Sequence, residues 1–151
     1  MEKIARRRVD WATAPTGGQV YTWDTTDERW ELTTVTSGTY TPTRSAEVNQ
    51  DANAVPSLAQ YMQVSNTVTV SGSFTANPTT TTTATSFEMS LPVASNIGAV
   101  VDVGGVAVAG GIASMSAAIS GSIANNTAVV SWIATDVTLQ TWYYTFTYRV
   151  I

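Results

Sequence analysis

Apolar and polar residues alternate through most of the chain. The stretch QYMQVSNTVTVSGSFT, residues 60–75, puts its valines and phenylalanine on one face and mainly threonine and serine on the other. A period of two is that of a half-buried β-strand. A turn at Ser65 and Asn66 would set Tyr61 opposite Val70. The stretch therefore predicts an antiparallel hairpin with one buried and one uncharged face.

Later stretches carry the same period, among them TSFEMSLPV (residues 85–93), IASMSAAISGSI (112–123) and TWYYTFTYRVI (141–151). Asn125 and Asn126 supply a further turn. No helical period competes with this pattern, and short strands at this spacing are typical of a sandwich or jelly roll. The sequence predicts an all-β fold, a sandwich or a jelly roll, with the core filled by the last strand, including Tyr144, Phe146 and Tyr148.

The first 37 residues differ in composition from the rest. They hold five of the seven basic residues and three of the five tryptophans, Trp11, Trp23 and Trp30. A hairpin is predicted here, with its turn at residues 24–27. An isolated hairpin is marginal in water, so its tryptophans need another surface. We expect an anchor or neck segment over residues 1–37, whose tryptophans dock onto a carrier, and a head domain over residues 38–151.

Charge is scarce after this segment. From Ala52 onward the charged residues are Glu88, Asp102, Asp136 and Arg149. Such a surface is poorly suited to a soluble monomer, and the cores of protein interfaces are depleted of charge. We therefore expect the chain to associate with copies of itself. The net charge of -4 argues against nucleic-acid binding, and the basic residues near the start are interpreted as a solvated terminus.

Five motifs in order carry a resemblance to a known family: YTPT, QYMQVSNTVTVSGSF, FEMSLPVASNIG, SGSIANNTAVVSW and WYYTFTYRVI. Residues 38–151 resemble a domain that recurs at the ends of bacteriophage fibre and appendage proteins. The resemblance implies a jelly roll like that of the complement globular head and tumour necrosis factor, forming a homotrimer through one face. Ser65 departs from the family's glycine, which puts the tight turn in doubt. GGQVYTWDTTDERWEL is similar to an element of phage fibre stalks, which implies an intertwined neck.

The chemistry of common enzymes is missing. The chain has no His and no Cys, which excludes Ser-His-Asp and Cys-His catalysis and zinc sites built on those residues. The carboxylates Glu88, Asp102 and Asp136 are interpreted as ordinary solvated loop or edge residues, and residues 24–28 lack the ligand spacing of a calcium loop. We expect no enzymatic activity, no metal and no cofactor.

Any ligand site is expected on loops at the end of the head away from the neck. The candidates are Asn96, Asn125, Asn126 and Asp136, together with the threonine tract at residues 79–83 and Trp132 or Trp142 as a stacking platform. Neutral polar loops suit glycans, which offer hydroxyl groups and little charge. The alternative is that the asparagines form turns and the tryptophans belong to the core.

The leading hypothesis is a trimeric bacteriophage virion appendage, a fibre or head fibre, whose head contacts the host surface. Its partners would be itself, other virion proteins through residues 1–37, and a host-surface glycan, with neither nucleic acid nor membrane. A capsid decoration or other structural virion protein without receptor binding is the alternative, and a glycan-degrading enzyme ranks behind both. With no secretory signal recognised, we expect synthesis in the host cytoplasm and location in the virion.

Overall fold

The structure, a computed structural model, describes residues 18–51, 55–111 and 115–151. Within these ranges the chain forms ten antiparallel strands and one short 3₁₀ turn at Val100–Asp102. The prediction of an all-β protein is confirmed. The strands are β1 (Gln19–Asp24), β2 (Arg29–Tyr40), β3 (Arg44–Val48), β4 (Ala59–Val64), β5 (Thr67–Ala76), β6 (Ala84–Met89), β7 (Val103–Ala109), β8 (Ser116–Ser122), β9 (Thr127–Ile133) and β10 (Gln140–Arg149).

The strands form a continuous sheet in the order β1-β2-β4-β5-β10-β7-β8-β9-β6-β3. Aromatic contacts join strands that are distant in this order. The rings of Phe74 in β5 and Phe87 in β6 lie 4.9 Å apart, as do those of Trp132 in β9 and Trp142 in β10. The sheet must therefore fold over itself around β7 and β8. The result is consistent with a β-sandwich whose core lies between the two layers.

Burial alternates along β10, as its sequence predicts. Trp142, Tyr144, Phe146 and Tyr148 are buried, whereas the residues between them face outward. Because β10 lies between β5 and β7 in the middle of the sheet, its inward side chains meet partners from both layers. The expectation that the last strand fills the core is confirmed.

The β4–β5 hairpin has the predicted register. Tyr61 pairs with Val70, and the turn consists of Ser65 and Asn66. Ser65 adopts a φ of 54°, a conformation that suits glycine better. The backbone N–H of Val150 donates to the carbonyl of Asn66 at 2.7 Å, which ties this turn to the end of β10.

The pairing between β4 and β5 contains a register change. Gln60 pairs with Ser71, but farther along the same edge Pro56 pairs with Phe74. Three residues on the β4 side therefore oppose two residues on β5, which is the pattern of a β-bulge. Leu58, within the bulge, is 66% exposed.

The β1–β2 hairpin continues past the body of the sandwich. β2 pairs with β4 from Val35 to Tyr40, and from Arg29 to Thr34 it pairs with β1. The predicted boundary between residues 37 and 38 falls inside this strand. Trp30 and Leu32 lie on the same side of β2 as Tyr40, which packs against the core. This side of the strand therefore extends beyond the core into the hairpin.

The sandwich consequently has two distinct ends. We call the one from which the β1–β2 hairpin extends the hairpin end, and the other the opposite end. The β4–β5 turn, the β8–β9 turn and Ile151 lie at the hairpin end. The connections at residues 77–83 and 134–139 lie at the opposite end, because β5 and β9 run toward it.

Candidate functional site

The predicted ligand residues do not form a single group. Asn96, Asn125 and Asn126 lie at the hairpin end, whereas Asp136 and the threonine tract lie at the opposite end. β9 begins directly after Asn126 and ends shortly before Asp136, and a strand of this length spans roughly 20 Å. The expectation that all these loops share the end away from the neck is therefore wrong.

Asn126 holds two connections together at the hairpin end. Its side-chain oxygen accepts a hydrogen bond from the backbone N–H of Ile97 at 2.8 Å, and its φ of 56° is one that asparagine tolerates well. The loop before β7 is fixed from its other side by Asp102, whose Oδ2 accepts from the N–H groups of Gly98 and Ala99. The side chain of Asn126 thus has a structural partner.

Glu88 is the nearly buried carboxylate of the same region. It lies in β6 between β3 and β9, so its interpretation as a solvated loop or edge residue is wrong. Its Oε2 accepts from Asn125 Nδ2 at 2.9 Å and from Thr127 Oγ1 at 2.7 Å. Burial pushes the pKa of Glu88 upward, but these hydrogen bonds outweigh it, so the pKa lies below its ordinary value. Glu88 is therefore ionised, and the side-chain amide of Asn125 is already engaged in a hydrogen bond to it.

A shallow pocket of about 430 Å³ lies at the hairpin end. The structure brings three predicted ligand residues together here, because Asn96, Asn125 and Asn126 all line it. Leu91 and Ile151 supply apolar surface. All three asparagines are exposed, but the side chains of Asn125 and Asn126 already bond the protein.

Asp136 forms a turn at the opposite end. Its Oδ1 accepts from both the hydroxyl and the backbone N–H of Thr138, each at 2.5 Å. The hydroxyl bond, followed by the backbone bond, lowers the pKa of Asp136. The geometry is that of an Asx turn, which accounts for this residue without a ligand.

The threonine tract is fixed by one asparagine. Asn49 Oδ1 accepts from the Thr79 hydroxyl at 2.7 Å and from the Thr80 N–H at 2.9 Å, and its Nδ2 donates to the Thr80 carbonyl and to Thr85 Oγ1. Thr82 adds a backbone bond to Ala134. Sequence reasoning did not identify Asn49, whose partners lie some thirty residues away.

The tryptophans proposed as a stacking platform are not accessible. Trp142 is fully buried and Trp132 nearly so, and the two pack against each other in the core. The interpretation of these residues as a ligand surface is wrong. The aromatic ring that does face outward on β10 is Tyr143, which is 57% exposed.

Of the predicted docking tryptophans, Trp11 lies outside the described residues. Trp23 and Trp30 are direct cross-strand partners in the hairpin, with ring centroids 5.5 Å apart in an edge-to-face arrangement. Trp30 is 42% exposed. The hairpin thus presents part of an aromatic surface beyond the core.

Three carboxylates approach each other near the turn of this hairpin. Oxygens of Asp24, Asp27 and Glu31 lie within 4.8 Å of one another. Arg29 contacts two of the three carboxylates, Glu31 at 2.6 Å and Asp27 at 3.2 Å. Asp24 accepts the backbone N–H groups of Thr26 and Asp27, which lowers its pKa. These bonds account for the cluster as a closed turn.

A further pocket, which the sequence did not reveal, lies on the outer surface of β4, β5 and β10 at the β-bulge. We call it the side pocket. Its volume is about 520 Å³. Tyr143 and Leu58 supply its exposed apolar side chains, and its polar groups come from Thr39, Gln60, Ser71 and Ser73. The available signals were Gly72 within a strand and Tyr143 as the outward aromatic residue in TWYYTFTYRVI.

None of the described residues belongs to a helix that is long and apolar enough to cross a bilayer. Compared with protein-family models, with curated proteins and with solved structures, the chain has no significant match.

Proposed function

We propose that this chain is a non-enzymatic bacteriophage virion appendage, a homotrimer whose jelly-roll head contacts the host surface. The jelly-roll assignment is supported by the connections between layers. The chain passes from one layer of the sandwich to the other several times, among them between β2 and β3, between β3 and β4, between β5 and β6 and between β9 and β10. Repeated crossing between two antiparallel layers is characteristic of Greek-key and jelly-roll sandwiches.

One observation carries the proposal of self-association: a row of directly paired, outward-facing residues crosses seven strands without a charge. Proteins normally place charged side chains on such a face to remain soluble. The outer face becomes more apolar toward β7 and β9. There Val106, Val108 and Ile133 are 46%, 48% and 57% exposed. The row consists of Thr39, Gln60, Ser71, Thr145, Val106, Ala118 and Ser131.

We place the contact between subunits on the outer faces of β7, β8 and β9. No residue of these three strands is charged. Burying such a face removes apolar surface from water and leaves no ion unpaired. We propose a trimer because the five motifs resemble those of phage fibre heads, a resemblance that implies trimerisation through one face of the sandwich.

The β1–β2 hairpin supports the proposal of a neck that attaches to other virion proteins. Its face with Trp30 and Leu32 extends the inner side of the sheet beyond the core. Half-exposed tryptophans are common anchors in protein interfaces. Removal of residues 1–37 would cut into β2, so Trp30→Ala is the better test of this attachment.

Two measurements test the proposed role. Immunogold labelling of particles should place the protein on a fibre of the tail or of the head, and excess purified protein should slow adsorption of the virus to its host cells. A label over the capsid shell with unchanged adsorption would instead favour the capsid-decoration alternative. Absence of the protein from particles would refute both virion roles.

A further inference from the structure

We propose that the side pocket binds a neutral saccharide, with Tyr143 as the ring on which the sugar stacks. This inference deepens the proposed host contact and rests on it, because it names the ligand class and the place of binding. The proposed binding site lies on the outer surface of β4, β5 and β10, not on the loops that the sequence suggested. Four features of the pocket support it, namely its charge, its free polar groups, its exposed ring and its shape.

Every residue that lines the side pocket is uncharged. An anionic or cationic ligand would find no counter-ion there and would lose its hydration without compensation. A saccharide without charged groups avoids this cost, because each of its hydroxyls can both donate and accept a hydrogen bond. The absence of charge therefore selects among polar ligands.

The polar side chains of the pocket are free to bond a ligand. Within the described part of the chain, neither the side-chain amide of Gln60 nor the hydroxyls of Thr39, Ser71 and Ser73 form a hydrogen bond to the protein. An amide and three hydroxyls supply both donors and acceptors. By contrast, Asn125, Asn126 and Asp136 bond the protein itself, so these three loop candidates are less available to a ligand than the polar residues of the side pocket.

Tyr143 is placed to act as a platform. Its ring is 57% exposed, and on the side of β7 it packs beside Gly110, where an added β-carbon would stand 2.9 Å from the ring atom Cε2. Contact with Gly110 limits the ring on one side and leaves surface toward the pocket. Aromatic rings that are apolar and carry a polar tip suit ligands with both C–H faces and hydroxyls.

The shape of the pocket follows from the β-bulge. The extra residue on the β4 side interrupts the regular surface opposite Gly72 and Ser73, and Leu58 projects from it into solvent. Bulges and strand glycines recur where a sheet re-aims a side chain or admits a close ligand. The volume of about 520 Å³ falls within the range of small-molecule sites, about 300–1,000 Å³.

The test is a titration of the full-length protein by isothermal calorimetry. The probes are neutral trisaccharides of glucose, galactose, mannose and N-acetylglucosamine, with sialyllactose as an anionic and chitosan trimer as a cationic comparison. At least one neutral probe should bind. Tyr143→Ala should weaken that binding by at least about tenfold, whereas Tyr143→Phe should change it by less than about threefold. Gln60→Ala should also weaken it, because the amide is lost.

Trp30→Ala is the matched control, since it removes another half-exposed ring far along the hairpin and should leave saccharide binding unchanged. Tyr143 faces outward, so its substitution spares the core, and circular dichroism checks that each variant is folded. Failure of all neutral probes, preference for a charged probe, or wild-type affinity in Tyr143→Ala would each overturn the proposal.

The same experiment separates this inference from the virion role. Saccharide binding that depends on Tyr143, in a protein absent from virus particles, would support the pocket and refute the proposed function. A protein found on particles that binds none of the probes would overturn the pocket and leave the virion role standing.

Discussion

The hydroxyl of Tyr144 lies directly over Gly72, its partner in the neighbouring strand. A β-carbon on residue 72 would stand 2.8 Å from that oxygen, closer than such atoms approach. Gly72 therefore makes room for the tyrosine. The Tyr144 hydroxyl is buried and has no hydrogen-bond partner among the described residues. The nearby Tyr40 hydroxyl lowers the pKa of Tyr144 but does not reach hydrogen-bond geometry. Tyr148 differs, because its hydroxyl donates to the Val93 carbonyl at 2.7 Å and accepts from the Val93 N–H at 3.0 Å.

Phenylalanine substitutions at these two tyrosines should have different effects on stability. Tyr144→Phe removes an unpaired buried hydroxyl, so the free energy of unfolding should stay the same or rise by up to about 1 kcal/mol. Tyr148→Phe leaves the backbone N–H and carbonyl of Val93 without their partner, so it should lower the free energy of unfolding by about 1–3 kcal/mol. Guanidinium denaturation of both variants provides the comparison. Equal losses would mean that the Tyr144 hydroxyl has a partner after all.

Truncation of the core residue Phe146 should be more costly than either of these changes. Phe146 is buried on β10, directly opposite Gly105 of β7. Phe146→Ala removes the ring and leaves a cavity, which should lower the free energy of unfolding by about 3–5 kcal/mol. The outward neighbour provides the control, since Thr147→Ala should change it by less than about 0.5 kcal/mol. A negligible loss for Phe146→Ala would contradict its burial.

Alkaline pH should destabilise the fold through its buried tyrosines. Burial raises the pKa of Tyr144 and of Tyr148 from 10.0 to about 12, although the Val93 bond opposes this for Tyr148. The unfolded chain therefore loses these protons first. The stability that they contribute is complete below pH 10 and falls as the pH rises from 10 to 12, by about 1.4 kcal/mol per pH unit for each tyrosine.

Urea denaturation at about pH 9 and pH 11 measures this effect. The chain has one lysine and no cysteine, so tyrosines dominate the titration in that window, and burial raises the pKa of Tyr40 as well. Tyr148→Phe should make the loss between the two pH values smaller than in the wild type. A midpoint that does not change between them would show that these tyrosines are accessible to solvent.

Two substitutions at Asn126 should separate its hydrogen bond from its backbone conformation. Asn126→Ala loses the acceptor for Ile97 and places alanine at a φ of 56°, so it should cost about 1–3 kcal/mol. Asn126→Gly loses the same hydrogen-bond acceptor, but glycine adopts a positive φ without strain, so the loss of stability should be smaller. Thermal denaturation distinguishes them. A larger loss with glycine than with alanine would contradict the assignment.

The strands and the hairpin register follow from local patterns in the sequence. Alternation along β10 indicates which side is buried, and a two-residue turn at Ser65 and Asn66 fixes the pairing of Tyr61 with Val70. Ser65 keeps that tight turn despite the glycine preferred there, because the energetic cost of its φ is small compared with the pairing of two long strands.

The position of each loop required information beyond a single strand. From β5 onward each strand crosses the sandwich once, so successive connections alternate between its two ends. Counting strands in this way would have separated Asn126 from Asp136. The β-bulge could not be predicted, because it depends on the pairing of Pro56 with Phe74, eighteen residues away. The side pocket that results from it was therefore missed.

Introduction of a charge on the outer face of β7 should prevent self-association. Sedimentation of the wild-type protein should give a trimer, and Val106→Lys should give a folded monomer, because an unpaired ammonium group in an interface costs several kcal/mol. Thr81→Lys is the matched control: Thr81 is exposed in the threonine tract at the opposite end, so this variant should remain trimeric. Val106 is itself half-exposed within one subunit, and the monomer should therefore keep its wild-type circular dichroism. A monomeric wild type would refute the trimer, and a trimeric Val106→Lys would place the contact on another face.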